Sequence, residues 1–463
     1  MSVKTNSRLS LHIFRRDLRL EDNNSLIRAL KSSEKVITCF IFDDRQVKNN
    51  PYYSENAFRF MIESLTDLSQ QLQKAGGRLY LFSGKPDEIV EKIITRHGID
   101  AVYINHDYTP FSQKRDEGLR TLCLKKGVDF KVYADALINE PEHVLKDDNT
   151  PYKVFTPFFK KSRQLEVMQP QNRLLNNFYT KDIPYEISIG RLSEITPPAD
   201  KNIFLKGGRA QALKLLKRLP ELNSYNTERN IPSLPGTSFL SPHNKFGTVS
   251  IREVYHSIVN ALGFSHTLVN EIYWRDFFSH IAFHFPHVFG HAFHQKYDNL
   301  EWDENQDKFT AWCEGRTGFP IVDAGMRQLN TTGWMHNRLR MVTAGFLVKD
   351  LHIDWRKGEM YFAQKLIDYD PAVNNGNWQW AASTGCDAQP YFRIFNPWIQ
   401  QKSYDPECTY IKQWIPELAA FSNKTVQNWH KIQPPEVKYP VPMVDHKTAS
   451  AFAKASFRMM AEQ

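Results

Sequence analysis

The stretch DYDPAVNNGNWQWAAST, residues 368–384, sets Asp368, Asp370 and three asparagines beside Trp378 and Trp380. Indoles supply flat, electron-rich surfaces, whereas a carboxylate taken out of water without a partner is strongly destabilising. Acids this close to indoles need partners, and the stretch reads as part of a polar site with aromatic walls. In EIYWRDFF, Glu271, Trp274, Arg275 and Phe278 follow i, i+3, i+4, i+7 and share a helical face. A surface Glu–Arg pair accounts for two of them at about 0.3–0.5 kcal/mol. Trp274 between the partners adds a plane suited to stacking on a base or a flavin.

Residues 333–341, GWMHNRLRM, repeat the theme, with Trp334, Asn337, Arg338 and Met341 expected on one helical face. An aromatic, an amide, a cation and a thioether together suit a helix that lines a cavity, or one at a domain interface. Residues 225–247, YNTERNIPSLPGTSFLSPHNKFG, cluster hydroxyls and prolines ahead of a helix expected at Ser250. Thr237, Ser238 and Ser241 offer donors of the kind that hold phosphates, although a capping loop has the same composition. His280, His284, His287, His291 and His294 recur at spacings of four and three, which resembles a metal-binding stripe. Pro286 and Gly290 interrupt it, and neither HExxH nor an acidic ligand accompanies it. Partly buried structural histidines and no metal site are therefore expected.

These residues need elements to carry them. Up to about residue 135, short apolar runs alternate with longer amphipathic ones, the pattern of parallel strands joined by crossover helices. Runs 11–14, 36–42, 79–82, 101–104 and 130–134 are the strand candidates, and residues 54–77 have helical spacing that ends on two glycines. From 139 to 201 the periodicity gives way to Pro, Asn and charge, the composition of a long connector. Beyond it the pattern is helical nearly throughout. We expect an α/β N-terminal domain over 1–138 with a parallel, Rossmann-like sheet, a connector over 139–201, and a larger all-α domain over 202–463.

With 463 residues, 41% of them apolar, the chain can bury a large core, which excludes disordered and fibrous classes. A net charge of +8 favours an anionic partner such as nucleic acid. The five cysteines form no CxxC pair, and no apolar run has the length of a secretory core or a membrane span. A cytoplasmic protein with no membrane partner is expected.

Residues 317–398, which contain TGFPIVDAGMRQLNTTGWMHNRLRMVTAGFLVKDLHIDWRKGE, the stretch quoted first and YFRIFNPW, resemble the photolyase/cryptochrome family, closest to class I cyclobutane pyrimidine dimer photolyases. FRRDLRLEDN, EIYWRDFF and YNTERNIPSLPGTSFLS extend the resemblance over the whole chain. It implies an antenna domain, a connector, and a helical domain that holds FAD above a cavity receiving DNA. By resemblance, Tyr225, Thr237, Ser238, Leu240 and Ser241 hold the FAD phosphates and neighbouring groups. Arg275, Arg340, Asp368, Asp370 and Asn374 also meet the cofactor, with Arg340 pairing with Asp368 and Asn374 facing flavin N5.

Trp378, Trp355 and Trp302 match the family's electron relay, whereas Trp380 and Trp274 match residues that stack on the lesion. Glu271, Asn337, Arg338 and Met341 are implied dimer contacts, and Arg229 and Gln400 implied DNA contacts. Glu271 would also steady the dimer as it splits. The implied reaction is light-driven: photoexcited reduced FAD lends an electron to a dimer flipped out of DNA, the cyclobutane ring opens, and the electron returns. Asn337, where (6–4)-specific relatives use a histidine pair, and the WQW triplet indicate dimer repair. The alternative is a cryptochrome-type blue-light receptor signalling through partner proteins, against which few residues follow Trp398 to form a signalling tail. A second antenna chromophore, folate or deazaflavin in type, is implied without the sequence choosing between them. Phe239 stands where relatives often carry Arg, and a monomer is expected.

Overall fold

The structure, a computed structural model, describes residues 7–47, 50–173, 175–188, 190–198, 202–203, 205–434 and 438–462. Five strands, β1 (Ser7–Phe14), β2 (Ser33–Phe42), β3 (Leu79–Ser83), β4 (Ala101–Asn105) and β5 (Asp129–Tyr133), pair in parallel in the order β3-β2-β1-β4-β5. β1 to β4 each contain a run marked by its apolar residues, nearly continuous where both faces of the sheet are covered, and the half-buried edge strand β5 overlaps the run expected at 130–134. Alternate residues of β2 go to opposite cores: Val36, Phe40 and Phe42 to one, Ile37, Cys39 and Ile41 to the other.

Helices α1 (Asn24–Ser32), α2 (Glu55–Lys74), α3 (Pro86–His97) and α4 (Pro110–Lys126) provide the crossovers. Asn23, Ser54 and Thr109 cap their starts by accepting backbone N–H groups, and Gly98 and Gly127 end α3 and α4 in left-handed conformations. The connector contributes a short helix, α5 (Phe155–Ser162), then returns along the sheet through bridges from Val36 to Phe178 and from Leu81 to Ile187.

The helices that build the site are α6 (Ser241–Phe246), α7 (Ile251–Leu262), α8 (Thr267–His284), α9 (Pro320–Thr332), α10 (Asn337–Lys349), α11 (Trp355–Lys365), α12 (Pro371–Ala382) and α13 (Pro397–Tyr404). Among the described residues no strand follows β5. Two glycines bring α12 close to its neighbours. A Cβ on Gly376 would run into the Phe278 ring of α8, and one on Gly358 of α11 would run into Trp378.

The strand order reverses between β1 and β4, the place where open α/β sheets leave a ligand crevice. Here that crevice is occupied by charges. Arg15 pairs with Asp116 at 2.5 Å, and Arg16 pairs with Asp107 at 3.2 Å and with Asp370 of the helical domain. Nearby, Asp135 receives Arg19 and Arg252, at 2.6 and 2.8 Å, and Arg252 also reaches Asp22 at 2.8 Å, all of them buried. The helical domain is thus pinned across the carboxyl ends of the strands.

Candidate active site

The two acids of the first stretch have separate tasks. Asp370 caps α12, accepting from the N–H groups of Ala372 and Val373 at 3.1 and 3.3 Å ahead of Pro371 at the first helical position. Burial opposes its ionisation, but Arg16, Lys245 and Arg275 outweigh that and hold the carboxyl down at about 2. Asp368 is gripped by Arg340 of α10 through two bonds of 3.1 and 2.8 Å and accepts the Ser241 hydroxyl at 2.6 Å. Arg16 and Lys245 carry no signal in local periodicity, and sequence reasoning missed both. Burial, with Arg16 beside it, pulls the Lys245 ammonium down to about 8.

Along α12 the amides divide between neighbours. Asn374 donates to the Glu359 carbonyl at 3.1 Å, and Asn375 reaches the Val288 carbonyl at 3.0 Å and the Glu359 carboxyl at 3.3 Å. Gln379, the centre of WQW, donates to the carbonyls of Val288 and His291, both at 3.1 Å. Burial pushes the Glu359 carboxyl up to about 7.

Trp378 is 2% exposed and lies over Gly358, one turn beyond Trp355 on α11. Trp355 is fully buried, whereas Trp302 is half-buried beside His352 and Phe457, with ring centroids 5.3 and 6.3 Å away. Two of the three indoles are thus interior, and Trp302 alone of them reaches the surface. Trp312, which sequence reasoning passed over, is also fully buried, 6.1 Å from Trp378 by centroid.

In the loop before α6, Tyr225 and Leu240 are buried, and Thr237 and Ser238 are half-buried. Thr237 Oγ1 and Asn244 Oδ1 are buried without hydrogen-bond partners. A buried polar atom left unpaired costs about 1–3 kcal/mol, so this loop is shaped to receive polar atoms from a bound group. Phe239 adopts a left-handed φ of 54° and packs on Trp334, the ring centroids 5.1 Å apart, so its side chain serves packing. Trp334 does not share a helical face with Asn337, Arg338 and Met341. His336 caps α10 by accepting the Arg338 N–H at 3.2 Å, which leaves Trp334 ahead of the helix in the core beside Ile367.

A second group of residues forms a mouth at the start of α8. Glu271 does not pair with Arg275; it pairs with Arg229 at 2.6 Å, both partly exposed. Arg275 instead donates to the Ala136 carbonyl at 2.8 Å and meets Asp276 at 3.3 Å, so it ties α8 to the α/β domain. Arg338 donates to Asn230 at 2.7 Å and lies 4.4 Å over the Tyr404 ring of α13. Asn337 is exposed at the first turn of α10, 3.9 Å from the Met341 sulfur. Trp274 and Trp380 are half-buried, and the Gln400 Oε1 is buried without a partner. Asn230 and Tyr404, which meet Arg338, and the buried Phe155, whose ring stacks behind Trp274 at 3.7 Å, were missed. Asn230 lies within a motif already singled out, and the other two have no local signal.

The histidines do not form one stripe, because α8 ends at His284. His280 and His284 bond the carbonyls of Asn139 and Pro141, and burial lowers the His280 imidazole to about 4.

A family model described as the FAD binding domain of DNA photolyase matches residues 268–459, and one described as DNA photolyase matches residues 10–174. The deoxyribodipyrimidine photo-lyase of Alkalihalophilus pseudofirmus is 38% identical over 468 residues, covering 96% of this chain and 97% of that protein. The chain belongs to the DNA photolyase family. The solved archaeal photolyase from Sulfolobus tokodaii, described with two FAD molecules and a novel light-harvesting cofactor, superposes with a TM-score of 0.90 at 42% identity, covering 97% of this chain and all of that one (100%). A cryptochrome from Synechocystis sp. PCC6803 superposes with a TM-score of 0.86 at 27% identity, covering 97% and 99%. The expected α/β and all-α architecture is that of solved photolyases. Among the described residues of this photolyase-family chain, no helix is long and apolar enough to cross a membrane.

Proposed function

We propose that this chain repairs cyclobutane pyrimidine dimers in DNA under near-UV or blue light, acting as a carbon–carbon lyase. One observation supports the reading: the Glu271–Arg229 pair and the Arg338–Asn230 bond bring carboxylate, guanidinium and amide groups together on the helices that carry half-buried Trp274 and exposed Asn337. Bound reduced FAD supplies a photoexcitable one-electron donor. Thr237, Ser238, Leu240 and Ser241 would hold its phosphates with Tyr225 beside them, and the unpartnered Thr237 hydroxyl supports that role. Arg340, Asp368, Asp370, Arg275 and Asn374 would orient the rest of the cofactor.

At the mouth, Trp274 and Trp380 offer stacking planes for an extruded dimer, an interaction of roughly 1–3 kcal/mol per base that does not depend on sequence. Extruding the lesion costs only a few kcal/mol because a damaged pair is already weakened. Asn337, Arg338 and Met341 would contact the dimer. Arg229 and Gln400 would contact the strand, and Glu271, held by Arg229, would present its carboxyl to the splitting bases. Trp302, Trp355 and Trp378 would pass electrons inward from the surface to restore the reduced cofactor.

The higher identity to a photolyase than to a cryptochrome supports repair over signalling. A second chromophore in the α/β domain, cytoplasmic location and a monomeric state complete the reading. The test is illumination of the flavin-loaded, reduced protein with duplex DNA carrying one thymine dimer. Dimer loss in near-UV or blue light and none in darkness is expected, and equal loss in both would refute the mechanism.

A further inference from the structure

Behind Trp274 the connector builds a ladder of rings. Trp274 stacks on Phe155 with centroids 3.7 Å apart and an interplanar angle of 8°, and Phe155 stacks on Phe159 at 5.5 Å and 12°. The Arg163 guanidinium then lies 5.0 Å from the Phe159 centroid and 3.9 Å from that of Phe264. The ladder therefore runs from the proposed lesion wall on α8 to the outer surface of α5. There it opens into a cavity of about 650 Å³ lined by Phe155, Phe159, Phe264, Lys160, Arg163 and Asn270, with no carboxylate in its wall.

Phe264 is 44% exposed and Lys160 is exposed, while Arg163 donates from Nη2 to the Phe264 carbonyl at 3.3 Å and leaves its buried Nε without a partner. Flat rings interleaved with cations match a base and its phosphate, since every base has a π-face and guanidinium groups stack on it as well. The cavity adjoins the proposed lesion wall: Phe155 lines it and stacks on Trp274, and Asn270 of its wall stands one turn before Trp274 on α8.

We propose that this cavity is a second DNA subsite, which receives an unstacked nucleotide from the strand beside the extruded dimer. Its base would lie on Phe264, and its phosphate would meet Lys160. The proposal rests on the repair reading, because a nucleotide leaves the stack here only when the lesion beside it is flipped. A subsite of this kind adds affinity for distorted DNA without reading sequence, and it explains why the connector aromatics continue the lesion wall.

The test is fluorescence anisotropy of the flavin-loaded protein with a dimer-containing duplex at salt between 50 and 200 mM, a range of about four-fold over which phosphate contacts separate clearly. Lys160→Ala is expected to lower the slope of log affinity against log salt by roughly one, and Lys160→Arg to restore it. Phe264→Ala is expected to weaken binding about five-fold or more at every salt with little change of slope. Wild-type affinity and slope in both alanine variants would overturn the subsite. Failure of the wild type to prefer dimer-containing DNA would instead sink the repair reading, so the two failures are distinguishable.

Discussion

Arg16→Met should expose how strongly the α/β domain holds the site together. Arg16 is the first of the three cations that keep Asp370 ionised, and it also bridges Asp107. The Asp370 carboxyl sits near 2 against an ordinary 3.8, a shift of nearly two units, which corresponds to about 2.5 kcal/mol of stability at neutral pH. Removing one partner of a buried pair typically costs about 3–5 kcal/mol. Lys245 and Arg275 remain near Asp370, so we expect a loss of about 2–3 kcal/mol at pH 7. A depressed carboxyl stabilises the fold fully above its unfolded value and loses that contribution as pH falls through its folded value. The gap between wild type and variant should therefore be full at pH 7, shrink below about 4, and close towards about 2.

Guanidinium unfolding followed by tryptophan fluorescence across about pH 2–7 measures the gap, because that range spans both the ordinary value of 3.8 and the folded value near 2. Visible absorbance of bound flavin reports whether α12, which Asp370 caps, still presents Asn374. A difference below about 0.5 kcal/mol at pH 7, the size of an ordinary surface substitution, would refute the reasoning. So would a larger difference that does not change with pH.

Three further substitutions probe other parts of the site. Gly358→Ala places a methyl against the Trp378 ring and Leu347, and should cost about 1–3 kcal/mol while changing the near-UV circular dichroism of that indole. Glu359→Gln removes a carboxyl held near 7 against an ordinary 4.5; its protonated form stabilises the fold below 4.5, and that contribution is lost as pH rises through 7. Relative to wild type, the variant should therefore gain about 3 kcal/mol between pH 4.5 and 8, measured by urea unfolding, and a flat difference would disprove the assignment. Tyr404→Ala frees the Arg338 guanidinium from the ring 4.4 Å below it and should weaken dimer-DNA binding about five-fold, read by anisotropy.

Strands β2, β3 and β4 were legible because each is buried on both faces and so writes a nearly unbroken apolar run, whereas the edge strand β5 is only half-buried and shows apolar residues broken by Lys131. The helix start at Ser250 was legible because its cap is local, the hydroxyl of Ser250 accepting the Glu253 N–H. Trp334 was misplaced because a helical spacing of apolar residues continues through His336, whereas the side chain of that histidine ends the helix there. Glu271 and Arg275 satisfy the spacing of a helical pair, yet carboxylate and guanidinium each found a partner on another element. Arg16 and Asp370 lie 354 residues apart, and nothing in the period of either segment encodes their meeting. Residue types told what the site needs; which distant charge supplies it depends on how the domains dock.

The division of the indoles is tested most directly by measuring two rates on two variants. For Trp302→Phe we expect light-driven reduction of bound oxidised flavin to slow, while dimer affinity and repair by protein reduced beforehand stay near wild type. For Trp274→Ala we expect the converse: photoreduction intact, dimer affinity down about five-fold or more. If Trp302→Phe abolishes repair by reduced protein, or Trp274→Ala leaves dimer binding untouched, the separation of electron path from lesion wall is wrong.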